Sequence, residues 1–208
     1  LVEYPTALCG RFEEKYLDLP SEAIITPMRE HQRYFPVFSN EGKLLPVFIT
    51  VRNGGNDYID NVRHGNERVL RARLADARFF YDEDRKIPLG DRVEKLKTIV
   101  FQEGLGTMYD KAQRLKKLSA VIAARIGISP VDMPAVERGA ELAKADLVTG
   151  MVCEFTELQG VMGREYALLS GESQVAADTV FEHYLPRFAG DILPRTLAGR
   201  AVAIADKL

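Results

Sequence analysis

Residues Glu141–Tyr166 read ELAKADLVTGMVCEFTELQGVMGREY. The stretch begins with amphipathic helical spacing. It then becomes apolar on nearly every side through Leu147, Val148, Met151, Val152, Cys153 and Phe155, the pattern of a surface helix running into a core. Asp146 rides on it, and Gln159-Gly160 with Gly163 then turns the chain among apolar neighbours. Upstream, Asp132 opens a stripe of Val136, Ala140, Ala143, Leu147 and Met151, which predicts one long central helix.

Working outward, the C-terminal side predicts two more helices, over Ser173–Tyr184 and Thr196–Leu208, separated by a loop bracketed by Pro186 and Pro194. On the N-terminal side, Thr107 with Asp110 three residues on forms a capping box for a helix through Leu115, Leu118, Ile122 and Ile126, stopped by Gly127. Val93, Leu96, Ile99 and Val100 repeat helical spacing before Gly104-Leu105-Gly106, and Leu70, Leu74, Ala77 and Tyr81 do so over Val69–Tyr81. Asn53-Gly54-Gly55-Asn56-Asp57 disfavours any regular element and is the best linker. Before it the signals are mixed: a strand over Thr6–Phe12, a helix opened by Pro20-Ser21-Glu22 with Ser21 capping it, and a hairpin. Tyr34–Phe38 and Leu45–Val51 supply its strands and Ser39–Lys43 its turn. Pro36 and Pro46 lack donors, so these strands are expected at a sheet edge or short. The reading is a mostly α protein with a small α+β N-terminal part, residues 1–60, followed by a helical domain, 61–208.

The chain has 208 residues, 46% of them hydrophobic, enough for a substantial core. Its 28 basic and 30 acidic residues leave a formal charge of −2, so any contact with nucleic acid must come from a local patch. Two distant cysteines, Cys9 and Cys153, fit a reducing cytosol, with Cys153 expected as a small buried hydrophobe. No run reaches the roughly 18 apolar residues of a membrane span. The chain starts at Leu1 and ends inside a helical pattern, and is read as a piece of a longer protein.

Four arginines, Arg68, Arg71, Arg78 and Arg85, fall on one side of a helical wheel and could form a phosphate-binding stripe. Four such contacts would give a log–log salt slope of about −3. Against this, acidic neighbours abound, and Asp82 lies one turn from Arg78 in position for an ordinary ion pair. The three histidines, His31, His64 and His183, lack metal-ligand spacing and read as solvent-facing or loop residues. His31 and Arg33 sit in a polar cluster, MREHQRYFP, ahead of the hairpin, where they could meet a partner. No serine nucleophile elbow, P-loop or dinucleotide fingerprint is present. Asp146 and Asp206, without imidazoles beside them, make at best a weak hard-cation site. Pairing with Arg164, Arg187, Arg195 or Lys207, or bonding to backbone donors, is the expected alternative.

Longer strings then carry specific information: HQRYFPV at 31–37, GNERV at 65–69 with RLADARFF at 73–80, LGT at 105–107, EFTELQGVMG at 154–163 and PRFAGD at 186–191. Together they resemble the middle of the β subunit of the bacterial two-subunit (α2β2) glycyl-tRNA synthetase, over nearly the whole chain. The resemblance implies a central fragment of a glycine-tRNA ligase subunit in the cytoplasm. It would comprise the end of a B3/B4-like tRNA-binding module followed by an HD-like helical domain. The implied partners are tRNA(Gly) and the α subunit, which uses ATP and Mg2+ to activate glycine, and no membrane; the implied fragment holds no catalytic residue, metal or cofactor of its own. Docking would involve Arg68, Arg71, Arg78, Arg85, His31, Arg33 and Arg187. A working HD site needs a His-Asp pair on its central helix. Here that pair reads Ala145-Asp146, and only Asp146 and Asp206 fit the ligand pattern, so the HD motif is expected to be degenerate. A metal-dependent HD-type phosphohydrolase is the alternative.

Overall fold

The computed structural model describes residues 2–208. The chain divides into two compact units, one ending at Asp82 and one running from Glu83 to Leu208. A boundary at 60/61 would fall at the start of the longest helix, whereas division by packing falls near that helix's C-terminal end.

The first unit is built on a three-stranded antiparallel sheet of order β1-β3-β2, with β1 Pro5–Arg11, β2 Phe35–Phe38 and β3 Leu44–Asn53. The expected hairpin is present, with Gly42 at positive φ in its turn. Pro36 lies on an edge strand as expected. Pro46 does not: β3 is ten residues long and central. The missing donor is tolerated because β1 pairs with β3 only from Val47 onward and the β2 register is irregular between Pro36 and Phe38. Short α1 spans Ser21–Thr26, but Pro20 holds the cap position and no side chain caps it, which corrects the role expected of Ser21. Helix α2, Ile59–Asp84, follows the glycine-rich turn, and Leu70, Leu74, Ala77 and Tyr81 are all buried along it as their spacing predicts.

The second unit is helical apart from a two-stranded ribbon, β4 Val100–Gln102 with β5 Gly106–Thr107. Leu89–Thr98 is a 3-10 segment rather than an α-helix, and the β-branched and aromatic run after it extends into β4 instead of continuing the helix. Helices α3 Met108–Arg125, α4 Met133–Leu142, α7 Gln174–Glu182 and α8 Leu197–Lys207 pack on one another, with α6 Val161–Leu169 against α7. Ala123, Val136, Ala140, Ala198, Ala201 and Val202 form one core cluster; small side chains at these positions let α3, α4 and α8 approach closely. The Thr107–Asp110 capping box is complete, and Ser173 and Thr196 cap α7 and α8.

The predicted long central helix is broken. Helix α4 ends at Leu142, Lys144 adopts a left-handed φ of 72°, Ala145–Val148 is a 3-10 turn, and α5 covers only Gly150–Glu154. The apolar periodicity runs through the break because Ala143, Ala145 and Met151 remain buried on either side of it. Cys153, expected inside, is exposed on short α5.

Candidate functional site

The break at Lys144 builds the most elaborate polar site in the helical unit. Lys144 is only 5% exposed, and its left-handed backbone, costly for a residue with a Cβ, directs the side chain inward. Its Nζ lies 2.9 Å from Asp206 Oδ2 on α8 and 4.0 Å from the centre of the Tyr184 ring. Lys111 of α3 adds a second cation, 3.0 Å from Asp206 Oδ1. Burial alone would raise the Asp206 pKa, but Lys144 and Lys111 outweigh it and the carboxyl titrates below its usual range. Burial pulls the Lys144 pKa down against the opposing pull of Asp206.

Asp146 is completely buried. The backbone N–H of Gly160 donates to Oδ2, and Tyr184 Oη donates to Oδ1 at 3.1 Å. Burial pushes this carboxyl up, with Gly160, Tyr184 and Lys144 working against it, while burial and then Asp146 push the Tyr184 phenol well above 10. Gly160 sits at φ 78°, and a Cβ there would meet Tyr184 Cδ2 at 2.7 Å. The Gln-Gly turn is therefore shaped to bring a backbone donor against Asp146.

His183 is fully buried in the same region, which corrects the solvent-facing reading. Its Nδ1 lies 2.7 Å from the Val180 carbonyl oxygen, which can only accept, so Nδ1 carries the proton and Nε2 is a bare lone pair. Nε2 has no hydrogen-bond partner. Burial, with the Lys144 charge, depresses the pKa to about 3. A neutral, buried imidazole thus lies within electrostatic reach of Asp206, although no histidine is adjacent to Asp146 in sequence.

None of the four cations expected to pair with these aspartates does so. Arg164 lies over the Phe181 ring, Arg187 binds Asp191, the Arg195 backbone N–H donates to Glu182, and Lys207 donates to the Leu185 carbonyl. Lys144 and Lys111 take that role. Lysine at 144, two residues before Asp146 in an apolar run, was the sequence signal that would have identified it. Among the described residues no group of three His, Cys, Asp or Glu is placed to hold a metal ion. An ammonium group lies against Asp206, where a divalent cation would also have to overcome the positive charge of Lys111.

The arginines of α2 lie in two settings. Arg68 and Arg71 are exposed, Arg71 3.3 Å from Glu13. Arg78 is turned to the first unit's own backbone and side chains, donating to the Lys15 carbonyl and Asp18, not to Asp82. Arg85 follows the helix in the second unit and has a partner. In the first unit His31 is half-buried and partnered, whereas Arg33 is exposed, with Glu30 at 3.9 Å. A shallow cleft beside them is lined by Arg29, Arg33, Tyr34 and Phe35. Arg187 is clamped to Asp191 by its guanidinium and its backbone N–H, which closes the 187–191 loop on itself.

A second buried carboxylate organises the start of the helical unit. Asp84 accepts from the Gly150 and Met151 N–H groups at 2.9 and 2.8 Å and from Tyr166 Oη at 3.1 Å, and faces Arg92 at 3.4 Å. It fixes the N-terminus of α5, where the carboxylate complements the helix dipole.

Residues 1–208 match the family profile described as glycyl-tRNA synthetase beta subunit. The chain is 62% identical to the glycine-tRNA ligase beta subunit of Clostridioides difficile (strain 630), 58% to that of Desulforamulus reducens and 54% to that of Listeria monocytogenes serotype 4b. Each alignment covers 100% of this chain and 30% of the relative, so the chain spans about three-tenths of the length of these proteins.

Proposed function

This chain belongs to the glycyl-tRNA synthetase beta-subunit family, and from that premise we propose that it is a tRNA-docking and assembly segment of a cytoplasmic glycine-tRNA ligase. In this reading the α subunit carries out glycine activation with ATP and Mg2+, and the present segment helps hold tRNA(Gly), on the acceptor side, for aminoacylation. The first unit acts as a B3/B4-like module and the second as an HD-like bundle whose ligand positions, Asp146 and Asp206, serve structure rather than hydrolysis. The observation that carries the reading is the match along all 208 residues to beta subunits of glycine-tRNA ligase. The relatives are ligase subunits and give no support to a phosphohydrolase.

Within that role, Arg68 and Arg71 are the best candidates for phosphate contacts, because both are exposed on α2 while Arg78 is spent on the first unit's internal bonds. Arg71 would exchange a surface ion pair with Glu13, worth little in water, for a phosphate. The test is the double variant Arg68→Glu/Arg71→Glu in the full α/β enzyme, with tRNA binding measured over a salt series. Loss of two phosphate contacts flattens the log–log slope by about 1.5. Unchanged affinity and unchanged slope would remove these residues from the RNA interface.

A further inference from the structure

The sheet of the first unit has two apolar faces and only one is covered. Strand register puts Leu8 and Gly10 of β1 and Phe48 and Thr50 of β3 on the inner face, all buried, with the Phe48 ring stacked on Tyr34 at 4.7 Å. The opposite face carries Pro5, Ala7, Cys9 and Arg11 of β1, registered against Asn53, Val51, Ile49 and Val47 of β3, and Phe35 of β2 paired to Ile49. Cys9, Ile49 and Phe35 therefore form one row across all three strands, and Ala7 with Val51 the row beside it. Ile49 is 39% exposed, Val51 40% and Phe35 60%. Charge appears on this face only at its end, in Arg11. A solvated antiparallel face alternates to polar residues; one that is apolar in adjacent rows is the inner surface of a layered structure.

We propose that this outer face is an internal packing surface, covered in the complete β subunit by a segment of the same polypeptide lying outside these 208 residues. Three observations select that occupant. The chain accounts for 30% of the length of its relatives, so more than twice as much polypeptide exists elsewhere in such a subunit. With Phe35 60%, Val51 40% and Ile49 39% exposed, the patch is on the order of a few hundred Å², short of the approximately 800 Å² per partner that a separate protein or second copy buries in a stable interface. A tethered segment needs less, because its effective concentration is high. RNA is disfavoured because its phosphates require cations, and the centre of the face has none.

The free thiol of Cys9 lies on this face and reports on it directly. The experiment uses the purified full-length β subunit without the α subunit or tRNA, diluted until it is monomeric. Alkylation of Cys9 is followed by peptide mass spectrometry and compared with its rate in the urea-unfolded chain. In parallel, p-benzoylphenylalanine replaces Ile49 for photocrosslinking. The expected result is Cys9 labelling at least tenfold slower than in the unfolded chain, independent of protein concentration, with crosslinks to peptides of the same chain outside residues 1–208. Rapid labelling overturns the proposal. So does protection that arises only with the α subunit, only with tRNA or only at concentrations where the subunit self-associates, and so do crosslinks to any of these.

Discussion

Replacing Lys144 by methionine removes the ammonium while keeping a side chain of similar length. In the native arrangement Lys144 and Asp206 are paired at 2.9 Å, with side chains 7% and 13% exposed. Removing one member of so buried a pair costs about 3–5 kcal/mol, because the carboxylate left behind is desolvated without its partner. Lys111 stays 3.0 Å from the other oxygen of Asp206 and sets the loss near the lower bound, and the lost contact with the Tyr184 ring adds about 0.5–1 kcal/mol. The expected total is about 3–4 kcal/mol, a factor of several hundred in an opening equilibrium. Hydrogen exchange followed by mass spectrometry on the full-length subunit reads this locally, in the peptides spanning residues 144–160 and 183–206. Those peptides should exchange at least a hundredfold faster in Lys144→Met while peptides of the sheet unit are unchanged. Adding Asp206→Asn should recover much of the loss, since the penalty comes from the stranded carboxylate rather than from the absent bond. Exchange less than threefold faster in the single variant, or a double variant less protected than the single, would refute the reasoning.

Three further outcomes follow from the same geometry. The pKa of His183, about 3 in the fold against 6.5 when unfolded, means that the unfolded chain binds the extra proton; this stabilisation is complete above pH 6.5 and is lost as pH falls from there towards 3. At pH 5 the loss is about 2 kcal/mol, and urea midpoints of wild type and His183→Asn measured from pH 7 to 5 should show the steeper fall only in wild type. Gly160→Ala forces a Cβ to 2.7 Å from the Tyr184 ring at φ 78°; a cost of about 1–3 kcal/mol should appear as a lower thermal midpoint, and an unchanged midpoint would mean that the turn relaxes freely. Asp84→Ala strips bonds from Gly150, Met151 and Tyr166 and leaves Arg92 buried without its carboxylate, holding only the residue 84 carbonyl. The expected loss of about 3–5 kcal/mol exceeds that of Asp84→Asn, which keeps some acceptors, and equal losses would count against the capping role.

Elements governed by neighbours in sequence were legible before the fold was known. The Thr107–Asp110 box, the hairpin around Gly42 and the buried stripe Leu70-Leu74-Ala77-Tyr81 each follow from contacts within a few residues or from a single helical period. What escaped the sequence depends on partners far along the chain. The bonds that hold the 144–146 turn come from Gly160, Tyr184 and Asp206, at separations of 14 to 62 residues, and nothing local in AlaLysAlaAsp opposes continuing the helix. His183 escapes for a similar reason: a histidine after an amphipathic helix carries no mark of burial until Val180 accepts its Nδ1 proton and the core closes over the ring. Cys153 erred in the opposite direction, since its apolar neighbours are buried on an α5 only five residues long, too short for every side to be covered.

The broken helix, the left-handed lysine and the doubly bonded aspartate are one structural event. An uninterrupted helix would hold Lys144 and Asp146 two positions apart, some 200° around its axis, and could not deliver both to the same polar site. Turning the chain at Lys144 brings the ammonium to Asp206 on α8 and lets Asp146 take the Gly160 N–H and the Tyr184 hydroxyl. The strain at φ 72° is of order 1–3 kcal/mol, and the charge-assisted and neutral hydrogen bonds gained, about 1–3 kcal/mol each, are sufficient to offset it. The consequence is mechanical: α3, the 144–148 turn, the Gln-Gly turn before α6, the end of α7 and α8 converge on one buried polar junction. A perturbation at Lys144 must therefore be felt in all five, which is why exchange at both 144–160 and 183–206 should rise together rather than separately.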